Sequence, residues 1–177
     1  MKKGFTLIEL LIVIAILAVL ATAVTLILNP AEMLKQGRDA TRLSDLAAIH
    51  SAIALYLADV SSASFNSTLN CNVALATSPP TACSAVTSTV VTGGGWVDIN
   101  FTSVSGGSPL SRLPLDPTDD NTHYYGFGSN TSGEYELITQ MESARYVNTG
   151  PADKESTDGG EDSDFYEIGN DAGLDIW

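Results

Sequence analysis

The chain has 177 residues and a mass of 18.6 kDa, room for one modest globular domain plus an extended element. Its net charge of −13 and pI near 4.2 exclude a nucleic-acid surface, which needs clustered Lys and Arg. The charge is uneven: residues 1–50 hold five basic and four acidic side chains, and residues 111–177 hold three basic and fifteen acidic ones. A basic N-terminus, an apolar run and an acidic distal half describe a protein that crosses a membrane once and leaves its acidic part outside.

The apolar run comes first in the chain. From Phe5 to Leu28 the sole ionisable side chain is Glu9, and the polar ones are Thr6, Thr22 and Thr25. Two dozen helical residues reach about 36 Å, enough for a hydrocarbon core of ~30 Å with some tilt. Lys2 and Lys3 precede the run and keep the N-terminus cytoplasmic, so the remainder is exported. The competing reading is a cleaved secretory signal with Ala21-Thr22-Ala23 as its small-residue site. Against it, the stretch is too long for a typical signal core, and such a core has no use for a carboxylate.

Lys2-Lys3-Gly4-Phe5-Thr6-Leu7-Ile8-Glu9-Leu10 resembles the processing motif of type IV prepilins and of the pseudopilins of type II secretion. The likeness extends to about Leu57. It implies cleavage by a prepilin peptidase after Gly4 and N-methylation of the new amine on Phe5. Gly4 suits a narrow protease groove, where a Cβ would clash. Glu9 is the informative residue, because an acid in a membrane helix costs about 2.5–3.5 kcal/mol at the bilayer centre and less near the interface. Its natural partner is the Phe5 amine. Within one subunit that amine lies one turn away, and the helix N-terminus favours the acid too. Between subunits, Glu9 of one chain would reach Phe5 of the next and set the axial stagger, the role the resemblance favours.

Asn29-Pro30 then interrupts the helix, since proline lacks a donor and crowds the preceding turn. The outcome is either a kink near Pro30 or an end followed by a new first turn. Beyond it, Leu43, Leu46, Ile49, Ile53, Tyr56, Leu57 and Val60 recur at three- and four-residue steps and form one apolar stripe. Lys35, Arg38, Asp39, Arg42 and Asp45 are assigned to the opposite side, either as a solvated face or as pairing groups between subunits. His50, beside the stripe, reads as a plain helix residue.

After Val60 the composition turns to Ser, Thr, Ala and Gly, punctuated by Pro79-Pro80 and Gly93-Gly94-Gly95. Strand-prone runs occur at Thr87–Thr92, Trp96–Phe101, His123–Phe127 and Glu134–Met141. The segments Leu113-Pro114-Leu115-Asp116-Pro117, Tyr124-Tyr125 and Tyr135-Glu136-Leu137 resemble pilin and major-pseudopilin heads more loosely. The expected fold is therefore α+β: a long N-terminal helix, kinked near Pro30, packed on a small antiparallel sheet. Its divisions are a leader over 1–4, a membrane or filament-core helix over 5–28, an amphipathic continuation over 29–60 and an exported head over 61–177.

Cys71 and Cys83 are the chain's two cysteines and lie in the exported part, where oxidation is favoured, so they are expected to pair. They lack Cys-x-x-Cys spacing and have no His or Cys neighbours suited to zinc. Two acidic groups offer oxygen ligands on loops. One is Asp158, Asp162, Asp171 and Asp175, in a tail that resembles the Asp/Gly-rich ending of calcium-binding pseudopilins. The other is Asp116, Asp119 and Asp120. Neither has EF-hand spacing, and solubilising charge is the alternative to calcium. No phosphate loop, catalytic triad or N/S metal cluster is legible, so the chain reads as a structural subunit and not an enzyme. The resemblance implies a filament of identical subunits, with a prepilin peptidase/N-methyltransferase and inner-membrane assembly machinery as partners. Its alternatives are a type II secretion pseudopilin, a minor pilin and a membrane-tethered monomeric binding domain.

Overall fold

Apolar residues on every side make the first helix a segment that no soluble core could bury on one face alone. The computed structural model of the chain describes residues 4–73 and 83–177, with Leu26 and Ile27 as backbone only. Met1–Lys3, including the predicted topogenic lysines, and the Pro79-Pro80 break lie outside the described residues. Helix α1 runs Leu7–Leu28 and is solvent-exposed at every described side chain. It is long and apolar enough to cross a membrane. At Asn29 the backbone turns left-handed, with φ 40°, a conformation Asn tolerates better than most residues. Pro30 then opens helix α2, Pro30–Asp59, at the first helical position, where its missing N–H costs nothing. Of the two outcomes expected at Pro30, the end-and-restart holds. Asn29 supplies its carbonyl to Glu32 N and Met33 N (3.0 and 3.3 Å), but its side chain forms no cap.

The head carries a five-stranded sheet. Strands β1 (Thr68–Cys71), β2 (Ser84–Ala85), β3 (Tyr125–Ser129), β4 (Tyr135–Thr139) and β5 (Tyr166–Gly169) are ordered β2-β1-β3-β4-β5. All neighbours are antiparallel except β1 and β2, which pair in parallel through Asn70–Ser84 and Cys71–Ala85. The architecture is thus α+β, a long N-terminal helix followed by a mostly antiparallel sheet.

Side-chain alternation gives the sheet two buried faces. The inner one presents Tyr125, Phe127, Tyr135 and Leu137 to the α2 stripe of Leu46, Ile49, Ile53 and Tyr56. On the outer face, Cys71 and Ile138 join Val73, Tyr124 and Phe165, with Trp177 packed against them. Two glycines make that cover possible. A Cβ on Gly126 would sit 2.7 Å from the Trp177 ring, and one on Gly128 would sit 2.8 Å from Ile176 Cγ2.

Two of the four predicted strand runs are realised, His123–Phe127 as β3 and Glu134–Met141 as β4, each with shifted ends. The runs at Thr87–Thr92 and Trp96–Phe101 are not strands; one isolated bridge, Thr92–Asn100, joins them. The physical reason lies in the glycines between them. Gly93 takes φ 87° and reverses the chain, and a Cβ on Gly95 would meet Val90 O at 2.3 Å. Trp96 and Val97, adjacent in sequence, are both buried, which a strand facing one core would not allow. The indole of Trp96 donates to Pro114 O at 3.0 Å and closes this irregular lobe over the core.

Candidate functional site: the N-terminal segment and the helix–head clamp

Gly4 and Phe5 lie in a non-helical lead before α1. Nothing approaches within 4 Å of where a Gly4 Cβ would be, and Phe5 is 82% exposed, so the Gly4–Phe5 peptide is uncovered. Thr6 caps the helix. Its hydroxyl accepts from Glu9 N at 3.3 Å, while Glu9 Oε2 accepts from Thr6 N at 2.8 Å and Thr6 Oγ1 at 2.6 Å. This is a capping box, and its Thr-x-x-Glu spacing was a signal available in the sequence. The acid is therefore held over the helix start, against the amide that follows Phe5.

A second constellation fixes the head on its helix. Arg42 forks onto Asp116, with Nε to Oδ2 at 2.6 Å and Nη2 to Oδ1 at 2.8 Å. The same group donates to Thr118 Oγ1 at 3.0 Å and, through Nη1, to Asp39 Oδ1 at 2.8 Å. Asp39 in turn accepts from Glu142 N and Ser143 N at 2.9 and 2.8 Å. Arg38 Nε donates to Glu142 Oε2 at 2.6 Å. The Asp39 and Arg42 side chains are fully buried. Burial works against the Arg42 charge, but its bonds to Asp116 and Asp39 outweigh it and keep the guanidinium charged. Arg38 holds the Glu142 carboxyl below the usual carboxylate range.

This corrects the reading of Asp39 and Arg42 as a face turned away from the apolar stripe. Residues 39, 42, 46, 49, 53 and 56 follow one another in three- and four-residue steps, so both charges continue the buried stripe. Both are closed off from water and paired within the chain. Asp45 likewise accepts from the Tyr125 hydroxyl at 2.9 Å, and His50 Nδ1 meets the Tyr135 hydroxyl at 3.0 Å.

The candidate calcium acids are distributed among other tasks. Asp116 belongs to the clamp and also caps Thr118 N and Asp119 N. Asp119 accepts from Asn72 Nδ2, and Asp120 from Thr122 N and His123 N. In the tail, Asp158 accepts from Gly160 N and Glu167 N, Asp162 from Asp164 N, and Asp171 from Asp175 N. Asp171 and Asp175 line one cavity, Asp158 a second and Asp162 a third. Among the described residues no three His, Cys, Asp or Glu side chains converge as a metal cage requires. Sequence reading missed Glu136 and Glu167, buried diagonal neighbours on the outer face of β4 and β5. Burial pushes both up; the charges of Asp171 and Glu161 add to the rise at Glu136, and Glu136 raises Glu167 further, to about 9. Cys71 and Cys83 form a disulfide, with Cα atoms 5.7 Å apart.

Residues 1–25 match the family model described as the prokaryotic N-terminal methylation motif, the signature of type IV pilin and pseudopilin precursors. The head lies outside the matched span. No curated protein and no solved structure matches the chain.

Proposed function

We propose that the chain is made as a precursor, cleaved after Gly4, methylated on the Phe5 amine and polymerised through α1 into a type IV pilus-like filament. The observation that carries this reading is the pairing of the methylation motif with α1, a helix no described side chain of which is buried. Such a helix needs lipid before assembly and other copies of itself afterwards. Before assembly the subunit sits in the inner membrane with its N-terminus in the cytoplasm and its head exported. The prepilin peptidase/N-methyltransferase supplies the new amine, and inner-membrane machinery extracts the helix. A pseudopilus of type II secretion uses the same helix and the same processing, with the filament confined to the periplasm.

The test is an intact-mass measurement on protein purified from membranes or filaments. The expected chain starts at Phe5 and is heavier by one methyl group. A start at Thr22 or Val24 would mark a secretory signal peptidase and overturn the proposal. Negative-stain microscopy of the same cells separates filaments from a tethered monomer.

A further inference from the structure

Strand β2 has little backbone pairing of its own, although Cys83 before it packs against the outer cluster and Val86 after it against the main core. It is two residues long, both exposed, and it pairs with β1 in parallel across a twelve-residue separation of the cysteines. Its backbone attachment continues in one bond, Val86 N to Cys71 O at 2.8 Å. A parallel pair this short cannot offset the entropy of closing its own loop. The Cys71–Cys83 bridge sits at the start of that pairing and removes the closure entropy beforehand.

Both ends of the segment are anchored without the bridge. Upstream, Asn72 ties the end of β1 to β3: its N–H donates to Tyr125 O at 3.1 Å and its side-chain oxygen accepts from Tyr125 N at 2.8 Å. Downstream, Ser88 O accepts from Trp96 N at 3.0 Å and Thr89 O from Leu113 N at 2.8 Å. On its other edge β1 keeps its four-residue antiparallel register with β3.

We infer that the Cys71–Cys83 bridge is a redox-controlled latch on the sheet edge, holding β2 over β1 when oxidised and releasing it, with the rest of the head intact, when reduced. Reduction breaks the S–S bond with two electrons and leaves two thiols. A dithiol supplies both protons as it becomes a disulfide; with a phosphine, which becomes its oxide, water supplies the oxygen and the protons. The β1 edge then carries unpaired backbone groups, the feature sheets ordinarily hide. If the head is exported as proposed above, edge closure follows oxidation there.

Hydrogen exchange on the full chain in detergent, with and without a phosphine reductant, tests this. On reduction the Val86 amide should exchange roughly a hundred-fold faster, while amides of Tyr125–Ser129 and Tyr135–Thr139 keep their protection. The double variant Cys71→Ala/Cys83→Ala, read in the same way without reductant, should reproduce the pattern. Unchanged protection at Val86 would show that pairing alone holds β2. Loss of protection throughout β3 and β4 would show that the bridge holds the whole head. Either result overturns the latch.

Discussion

Glu9 sits where an apolar helix tolerates an acid, at its first turn, with three N–H and O–H contacts to Thr6 already arranged. The capping box accounts for the acid within a single chain. In a filament core, where water is excluded, an unpaired carboxylate would cost several kcal/mol, so a Phe5 amine becomes the better partner. Exchanging Glu9 for Val leaves the helix apolar and removes the acid. We expect Glu9→Val protein at normal levels in membranes, cleaved after Gly4, with few or no filaments by negative-stain counting. Normal filament numbers would show that the carboxylate does not drive assembly. Thr6→Val is the matching control: it breaks the box and spares the acid, so filaments should persist.

At the scale of elements, the junction of α2 with the head depends on the clamp as much as on the apolar stripe. Deleting one partner of a buried ion cluster typically costs about 3–5 kcal/mol, because the remaining charges stay buried. For Arg42→Met, which strips Asp39 and Asp116 of the buried cation they share, we expect the thermal midpoint of the detergent-solubilised chain to fall by about 10 °C. Lys35→Met, on a half-buried residue outside the clamp, should move it little; equal effects would remove the clamp from the account. The stripe itself was legible because helical periodicity is local. Asp39 and Arg42 stand in phase with it, but their charge outweighed their position, and Asp116 lies 74 residues beyond Arg42. Gly4, Phe5 and Glu9 were legible for the opposite reason, since a nine-residue motif contains them. Strands fared less well. β1 and β5 are four residues each, too short to show a period, and the strand run read at His123–Phe127 stops short of Gly128 and Ser129, although Ile176 and Trp177 require a glycine at 128. Their pairing, with partners far away in the chain, specifies them.

For the molecule as a whole, the acids that lack a cation set the pH response. Glu155 is buried and accepts from Met141 N and Asn148 N at 2.7 and 2.8 Å; burial outweighs both bonds and pushes it up to about 7. A carboxyl raised in the folded state binds its proton more tightly there than in the unfolded chain. Its stabilising contribution is therefore full below about 4.5 and is lost as pH climbs through 7. Glu167 acts in the same sense up to about 9. The thermal midpoint of the full chain should accordingly be highest in mild acid and decline between pH 5 and 9. Glu155→Gln should flatten the part of that decline below pH 7, and an unaltered slope would assign it to other groups.

The clamp and the stripe together also decide how the protein carries a load. From Asp39 to Tyr56 the head grips α2 over about 26 Å of helix. Tension applied to the head along the stalk loads the salt bridges and the interdigitated side chains in parallel, as a cleat loads a rope. Failure in that direction is shearing, with every contact strained together, and resists far more than peeling. A sideways tug meets Asn29 first, the left-handed residue at which α1 ends and α2 begins, outside the gripped length. The head is thus held against a pull along the axis, and the break between the two helices lies outside that grip.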